Sequence, residues 1–294
     1  MKRRTFIKDV TVGSLILQAG PRLWAQSVLP DLASIQGESP AQITKTAVEA
    51  IGGMGRFITK GDRVMIKPNI GWDRRPEQAA CTNPEVVRAL VEMCRDAGAK
   101  EVKVMDNPCN PAQRTYLRSG IAQAAKDAGA KVLYCSEHKM KKVDLKGEWL
   151  KDWEVYTDFI ETDKIINVPI AKHHSLSRVT LGMKNWLGCL GGNRNQLHQN
   201  LDAAMIDLAA YFKPVLTVLD AYRVLLRNGP QGGRPSDMEV KKTVIAGTDY
   251  VAVDALGLSF FDIKPEDMPY LRMANERGFG EFNLEKLKIE KRTV

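Results

Sequence analysis

Three of the four histidines of this 294-residue sequence fall between Ala171 and His198, in a window rich in lysine, arginine, asparagine and glycine. Histidine is a common metal ligand, and its pKa lies nearest neutral pH among the side chains. Catalytic roles are therefore predicted for His174, Lys184 and His198. The window indicates where chemistry takes place, but it does not name a reaction.

One hypothesis is a divalent metal held by imidazole and carboxylate groups, with one coordination position left open for a substrate. Adjacent residues of an extended chain point to opposite sides. Only one of the neighbouring His173 and His174 would then face the site directly. The predicted metal ligands are His173, His174, His198, Asp106 and Asp220.

A second hypothesis is that the same region binds a carboxylate or phosphate without a metal. Lysine and arginine bind such anions, and a histidine would act as general acid or base. The predicted substrate-binding residues are Lys67, Asn69, Asn185 and Arg194, with Lys172 and Lys184 beside them. Both hypotheses predict an enzyme that acts on a small molecule. The alternative is a non-catalytic protein that binds a ligand or metal, or that assists the maturation of a partner enzyme.

Several common cofactor and catalytic motifs are absent from the sequence. The five cysteines include no C-x-x-C pair, which disfavours an iron–sulfur cluster or a structural zinc site, although one or two disulfides stay open. No G-x-G-x-x-G follows a predicted strand, so Rossmann-type nucleotide binding is not predicted. No G-x-S-x-G elbow of the common serine hydrolases occurs either.

The elements that must position these residues follow from hydrophobic periodicity and turn formers. A strand is predicted over Arg63–Asn69, and a helix follows the N-cap residue Asn83. Further strands are predicted at Glu101–Asp106, Val132–Tyr134, Lys164–Pro169, Val179–Met183, Val215–Ala221 and Lys242–Ala246, and further helices at Gln199–Phe212, Asp249–Phe261 and Tyr270–Arg277.

A repeated segment indicates the fold class. Asp96–Lys100 and Asp127–Lys131 both read Asp-Ala-Gly-Ala-Lys, and each closes a predicted helix and opens a strand. Glycine at that position relieves a left-handed backbone conformation. Two successive helix–Gly–strand units indicate βαβ crossovers. We therefore predict a single α/β domain over residues 26–294, with a mainly parallel twisted sheet and helices on both faces.

Polar segments follow several predicted strands. In open parallel sheets, ligands bind beyond the carboxyl ends of the strands, so these segments are expected to form one site. They are Lys67–Asn69, Asp106–Pro108, Lys172–His174, Lys184–Asn185 and Asp220–Tyr222.

The N-terminus has the parts of an export signal. Arg3 and Arg4 form a twin-arginine pair, Val10–Ala19 is a modest apolar stretch, and Ala25 offers a cleavage site. The sequence thus predicts a Tat signal peptide at 1–25, recognition by the Tat export machinery and a periplasmic location. The apolar stretch is shorter than the roughly 20 residues that span a bilayer, so no stable membrane span is predicted.

The charge balance does not predict nucleic-acid binding. Residues 1–25 contain five basic residues and one acidic residue, which account for half of the formal net charge of +8. The basic residues of the remaining chain are scattered and do not form a stripe along one helix.

A set of short motifs occurs in a specific order between about residue 62 and residue 262. The motifs are Ile66–Asn69, Cys81–Pro84 with Val86 and Val87, the Asp-Ala-Gly-Ala segment, Lys172–His173, Thr180, Lys184–Asn185, Arg194 with His198, Asn228–Pro230 and Ala246–Asp254. This set resembles the domain of unknown function 362 family. The resemblance implies a bacterial or archaeal protein and supports the fold and the site more than any reaction. Some members are attached to ferredoxin-like modules, whose cysteine spacing this sequence lacks.

Overall fold

The computed structural model describes residues 29–294, so the predicted signal peptide at 1–25 lies outside the described residues. The strands of the described part are β1 (Leu32–Gln36), β2 (Arg63–Pro68), β3 (Glu101–Val104), β4 (Lys131–Val132), β5 (Met140–Asp144), β6 (Asp152–Tyr156), β7 (Lys164–Val168), β8 (Ile170–His174), β9 (Arg178–Thr180), β10 (Leu216–Leu225), β11 (Met238–Gly247) and β12 (Ile289–Thr293).

The α-helices of the described part range from one turn to about three turns in length. They are α1 (Pro40–Ala50), α2 (Pro84–Asp96), α3 (Ala112–Arg118), α4 (Ile121–Asp127), α5 (Thr157–Ile160), α6 (Gly182–Asn185), α7 (Leu201–Phe212), α8 (Tyr250–Gly257) and α9 (Pro269–Glu276). Short 3-10 helices at Trp186–Cys189 and Arg194–Asn200 continue the chain beyond α6.

Ten strands form one sheet with the order β12-β1-β11-β10-β7-β2-β3-β4, and β8 and β9 are attached beside β10. Pairing is parallel from β10 through β7, β2 and β3 to β4, and antiparallel around β11. The predicted α/β fold with a mainly parallel sheet is therefore confirmed. The carboxyl ends of β2, β3 and β8 carry three of the five predicted polar segments, whereas Lys184–Asn185 lies on α6 and Asp220–Tyr222 lies inside β10.

Helices cover both faces of the sheet. Alternate residues of a strand point to opposite faces, so each strand contributes side chains to two cores. Val64 and Ile66 of β2 belong to the core that also contains Ile43 of α1 and Leu90 of α2. Met65, between them, belongs to the core on the other face, which receives side chains of α7, α8 and α9. Lys67 follows this alternation onto the second face, next to α6.

The repeated glycines end helices as predicted. Gly98 follows α2 and Gly129 follows α4, and both have left-handed backbones, with φ of +92° and +93°. Each glycine leads into the next strand, β3 or β4. These are the two helix–Gly–strand units from which the parallel part of the sheet is built.

The strand predicted over Val179–Met183 is wrong beyond Thr180, since β9 ends there and residues 182–185 form α6. A tertiary contact causes the change. The buried carboxylate of Asp254 accepts hydrogen bonds from the backbone N–H groups of Gly182 and Met183, at 2.6 and 3.0 Å. These two N–H groups belong to the first two residues of α6, and the Asp254 that accepts them lies 72 and 71 residues further along the sequence.

All five cysteines are free thiols, so the structure contains none of the disulfides that the sequence left open. Among residues 29–294, no helix has both the length and the apolar character needed to cross a membrane.

Candidate functional site

A pocket of about 320 Å³ opens beyond the carboxyl ends of β2, β3 and β8. Residues from the loops after these strands line one side, and α6 with the following 3-10 helices lines the other. Every predicted substrate-binding residue lines this pocket, together with Asp106, Lys172, His174, Lys184 and His198. Location and composition agree with the general rule for ligand sites in parallel sheets.

Lys67 and Asp106 form a buried ion pair at the base of the pocket. The Lys67 Nζ lies 2.6 Å from Oδ1 of Asp106, and both side chains are at most 3% exposed. The backbone N–H of Ile70 donates to Oδ2 of the same carboxylate at 2.6 Å. Lys67 also donates to the carbonyl of Pro68. A buried charge is costly without such partners, so the pair fixes the ends of β2 and β3 together.

Asn185 connects this ion pair to a second lysine. Its Oδ1 accepts hydrogen bonds from Lys67 Nζ at 3.0 Å and from Asn69 Nδ2 at 3.1 Å. Asn69 Oδ1 in turn accepts a hydrogen bond from Lys172 Nζ at 3.0 Å, and Lys172 also donates to the carbonyl of Ala80. The five side chains Lys67, Asn69, Asp106, Lys172 and Asn185 form one connected polar network, which we call the pocket floor.

Gly188 is a site residue that sequence reasoning missed. A Cβ at this position would lie 1.8 Å from Oδ1 of Asp106 and 2.6 Å from Nζ of Lys67. The ion pair therefore packs directly against a glycine backbone, where no other residue fits. The sequence Trp186-Leu-Gly-Cys189 carries no local sign of this contact, because the partners come from β2 and from the loop after β3.

Asp254 positions α6, and through it Lys184 and Asn185. It is fully buried, and its two oxygens accept the N–H groups of Gly182 and Met183. Burial raises the pKa of Asp254 to about 7, and the hydrogen bonds oppose that rise. A Cβ on Gly182 would lie 2.7 Å from this carboxylate. Asp254 is thus a satisfied structural carboxylate that supports the site from outside the pocket.

Lys184 lies on α6 and faces the pocket. The residue is 9% exposed, and within residues 29–294 its amine has no hydrogen-bond or ion-pair partner. Burial, with a smaller contribution from the nearby Lys172 and Arg194 cations, lowers the pKa of Lys184 to about 8. Burial likewise lowers the pKa of Lys172 to about 8. The two amines can change protonation close to physiological pH.

Two histidines face the pocket with Nε2 available, as a donor in His174 and as an acceptor in His198. His174 Nδ1 accepts hydrogen bonds from the backbone N–H groups of Leu176 and Ser177, so its neutral ring carries the proton on Nε2. Burial, with Lys184 and Lys172 adding to its effect, lowers the pKa of His174 to about 3 and keeps the ring neutral. His198 Nδ1 lies 3.3 Å from the carbonyl of Asn195. That contact requires a proton on Nδ1, which leaves Nε2 of the neutral ring as an acceptor.

Arg194 closes the side of the pocket opposite the strands. Its guanidinium donates to the backbone carbonyls of Asn107, Leu187 and Pro108, at 2.9, 3.3 and 3.3 Å. A guanidinium has five N–H donors, so two remain after these three bonds. We call Lys184, Arg194 and His198 the pocket wall, since Lys184 lies on α6 and the other two lie on the 3-10 helix that precedes α7.

The predicted metal ligand set is not assembled. The carboxylate of Asp220 accepts the backbone N–H groups of Asn83 and Tyr222 away from the pocket, at the start of α2. His173 accepts the N–H of Gly229 on the opposite side of β8 from His174. Asp106 is occupied by Lys67. Nowhere in the described part of the chain do three His, Cys, Asp or Glu side chains gather in a way that could hold a metal ion.

The charges around the pocket are unbalanced. Its lining includes four cationic side chains, Lys67, Lys172, Lys184 and Arg194, but one carboxylate, that of Asp106. The lining histidines are neutral or half-exposed and add no negative charge. Such an excess favours an anionic ligand, because lysine and arginine form charge-assisted hydrogen bonds with carboxylate and phosphate oxygens.

The fold and the site together define an α/β protein with a cationic pocket at the carboxyl ends of its strands. Residues 64–259 match the family described as "Domain of unknown function (DUF362)", and the chain belongs to this family. A thylakoid-associated protein of Synechocystis sp. is 26% identical over 245 residues, which cover 80% of this chain and 74% of that protein.

Two solved structures also resemble the chain. One is the lactate racemase apoprotein of Thermoanaerobacterium thermosaccharolyticum, with 11% identity, a TM-score of 0.46, and coverage of 78% of this chain and 56% of that one. The other is a Thermotoga maritima protein, with 11% identity, a TM-score of 0.40, and coverage of 81% and 58%. This chain thus spans less than two thirds of the length of either structure, and no activity is carried over from them.

Proposed function

We propose that the protein binds a small organic carboxylate in the strand-end pocket and acts on it as an acid–base enzyme. The observation that carries this proposal is Lys184, a residue that is nine-tenths buried and lines the pocket, and whose amine has no partner within residues 29–294. A buried ammonium without a partner is unfavourable. A bound carboxylate would provide the missing acceptor.

The size of the pocket limits the ligand. A volume of about 320 Å³ lies at the lower end of the range of roughly 300–1,000 Å³ for small-molecule sites. It suits a molecule of a few carbon atoms better than a nucleotide. The pocket also has residues for more than one polar group, since Lys172 and Arg194 face it beside Lys184.

The acid–base part of the proposal rests on Lys184 and His198. The pKa of Lys184 is about 8, so a useful fraction of its amines is neutral near pH 7 and can exchange protons. His198 offers Nε2 as a proton acceptor in its neutral form. General acid–base groups work best when their pKa lies near the working pH.

Isothermal titration calorimetry with malonate and inorganic phosphate, and with malonamide as a neutral analogue, tests the anion site. We expect malonate to bind and malonamide not to bind, and EDTA should leave malonate binding unchanged. Equal binding of malonate and malonamide would contradict an anion site. Binding without any turnover of small carboxylates would instead favour the non-catalytic alternative, a protein that binds a ligand or assists a partner enzyme.

We also propose export through the Tat route, on the strength of the sequence of residues 1–25. The test is fractionation of a bacterial host that expresses the full chain, followed by N-terminal sequencing of the periplasmic protein. Replacing the arginine pair, Arg3→Lys with Arg4→Lys, should retain the protein in the cytoplasm. Periplasmic protein in both cases would contradict a twin-arginine signal.

A further inference from the structure

We propose that the amine of Lys184 forms a Schiff base with the ketone of a small 2-oxo acid, which is then the substrate class of the pocket. The inference rests on the proposed function, because the same pocket must first bind the carboxylate of that molecule. It adds a covalent step and a defined functional group next to the carboxylate.

The three lysines of the pocket differ in how many of their donors are used. An ammonium has three N–H donors. Lys67 contacts three acceptors, namely the carbonyl of Pro68, Oδ1 of Asn185 and Oδ1 of Asp106. Lys172 contacts two, Oδ1 of Asn69 and the carbonyl of Ala80. Lys184 contacts none within residues 29–294. Only Lys184 can therefore react without the loss of existing hydrogen bonds.

The surroundings of Lys184 favour a nucleophilic amine. A lysine becomes a nucleophile when burial and a neighbouring cation favour its neutral form. Both conditions hold here, because Lys184 is nine-tenths buried and because the Lys172 and Arg194 cations lower its pKa. The backbone of Lys184 belongs to the one-turn helix α6, whose first two N–H groups are held by Asp254. The backbone that carries the Lys184 side chain is therefore held in place.

The remaining cations can hold the carboxylate of a 2-oxo acid. Lys172 has one N–H left after its two hydrogen bonds, and the Arg194 guanidinium has two left after three. In a 2-oxo acid the ketone carbon is bonded directly to the carboxylate carbon. A carboxylate bound by Lys172 or Arg194 therefore brings a ketone to an amine that lines the same pocket.

The covalent step balances without any oxidant, reductant or second substrate. The neutral Lys184 amine adds to the ketone carbon, and the C–O double bond becomes a C–OH single bond as a proton passes from nitrogen to oxygen. The hydroxyl then leaves with a proton taken from the solvent, which releases one water and leaves a protonated imine. His174 Nε2–H is positioned by its two backbone contacts to donate a hydrogen bond in this pocket. Hydrolysis reverses the step.

The test is incubation of the full chain with pyruvate and sodium borohydride, followed by intact mass and peptide mapping. We expect one reduced pyruvyl adduct per chain, located at Lys184. The variant Lys184→Arg keeps a cation but has no amine that can form an imine, so it should lose the adduct. The matched control Lys126→Arg changes an exposed lysine on α4 and should give the wild-type adduct.

The outcomes separate this inference from the proposed function. Malonate binding in wild type without any borohydride-dependent adduct would overturn the Schiff base and leave the anion site intact. An adduct at another lysine, or an adduct that persists in Lys184→Arg, would also overturn it. Failure of wild type to bind both malonate and pyruvate would overturn the proposed function as well. A thermal melt of Lys184→Arg shows that the variant is folded before these results are compared.

Discussion

The pocket floor and the pocket wall use buried charge in different ways. In the floor, Lys67, Asp106 and Asn185 satisfy one another and are almost inaccessible to solvent. In the wall, Lys184 has no partner among the described residues, and Arg194 keeps two donors. Polar groups that are fully paired stabilise and position a structure, while unpaired groups in a pocket are available to a ligand. The floor thus stabilises the structure of the pocket, and the wall is available to bind a ligand.

The largest effect is expected from Asp106→Asn in the floor. The change removes the counterion of Lys67, which is 1% exposed. Loss of one partner of a buried ion pair typically costs about 3–5 kcal/mol. The free energy of unfolding, measured by urea denaturation, should fall by about that amount.

A double-mutant cycle with Lys67→Met provides the control for this prediction. The double variant should lose less stability than the sum of the two single variants, because neither charge is then left unpaired. Additive losses would show that Lys67 and Asp106 do not stabilise each other. The floor would then not be a paired network, and its contrast with the wall would be wrong.

Next in size is the effect of Gly188→Ala, which places a Cβ 1.8 Å from Oδ1 of Asp106. Forcing a methyl group into a packed region costs about 1–3 kcal/mol. Gly55→Ala is the matched control, since a Cβ at that position meets nothing within 4 Å. Its effect should stay within about 0.5 kcal/mol. Equal unfolding free energies for the two variants would contradict the close contact between Gly188 and the floor.

A change in the wall should affect binding and leave the fold intact. Lys184→Met removes a buried ammonium that has no partner among residues 29–294, so the free energy of unfolding should be unchanged or higher. A hydrogen bond to a charged group contributes about 1.5–3 kcal/mol, so malonate affinity should fall roughly 10- to 100-fold. Titration calorimetry and urea denaturation measure the two quantities. A destabilised variant with normal affinity would reverse the assignment of Lys184 to the wall.

The smallest predicted effect is a dependence of affinity on pH. The pKa of Lys184 is about 8, as is that of Lys172. Both amines are cationic below that pH and neutral above it, so malonate affinity should weaken as the pH rises through about 8. A bound anion stabilises the cations and moves this transition to higher pH in the complex. In Lys184→Met the loss should be smaller, since one of the two groups is gone. Affinity that rises with pH would contradict a cationic site.

Much of the fold could be predicted because its signals are local. The N-cap Asn83 accepts the N–H of Glu85, and Gly98 ends α2 in a left-handed conformation. The apolar run of Arg63–Pro68 forms β2. In contrast, β1 and β12 pair with each other although they lie at opposite ends of the described chain. No short window of the sequence contains that pairing.

The candidate site was predicted in part. Lys67, Asn69, Asn185 and Arg194 line one pocket, because polar residues that follow parallel strands meet at the same edge of the sheet. The same reasoning failed for Asp220, whose carboxylate caps the start of α2. The predicted strand ended at Ala221, whereas β10 continues to Leu225, so Asp220 lies in the middle of the strand and not at its end.

The sequence by itself determined which residue types are present at the strand ends, since alternation, turn formers and caps act over a few residues. The tertiary structure decided which of those residues are paired and which are free. Lys67 and Lys184 look alike in the sequence, as lysines next to asparagine-containing segments. They differ because Asp106 contacts Lys67 from the loop after β3. In contrast, α6, whose first N–H groups bind Asp254, directs Lys184 into the pocket without a partner in residues 29–294. The strength of an electrostatic interaction depends on distance and burial, and both are set by contacts between distant parts of the chain.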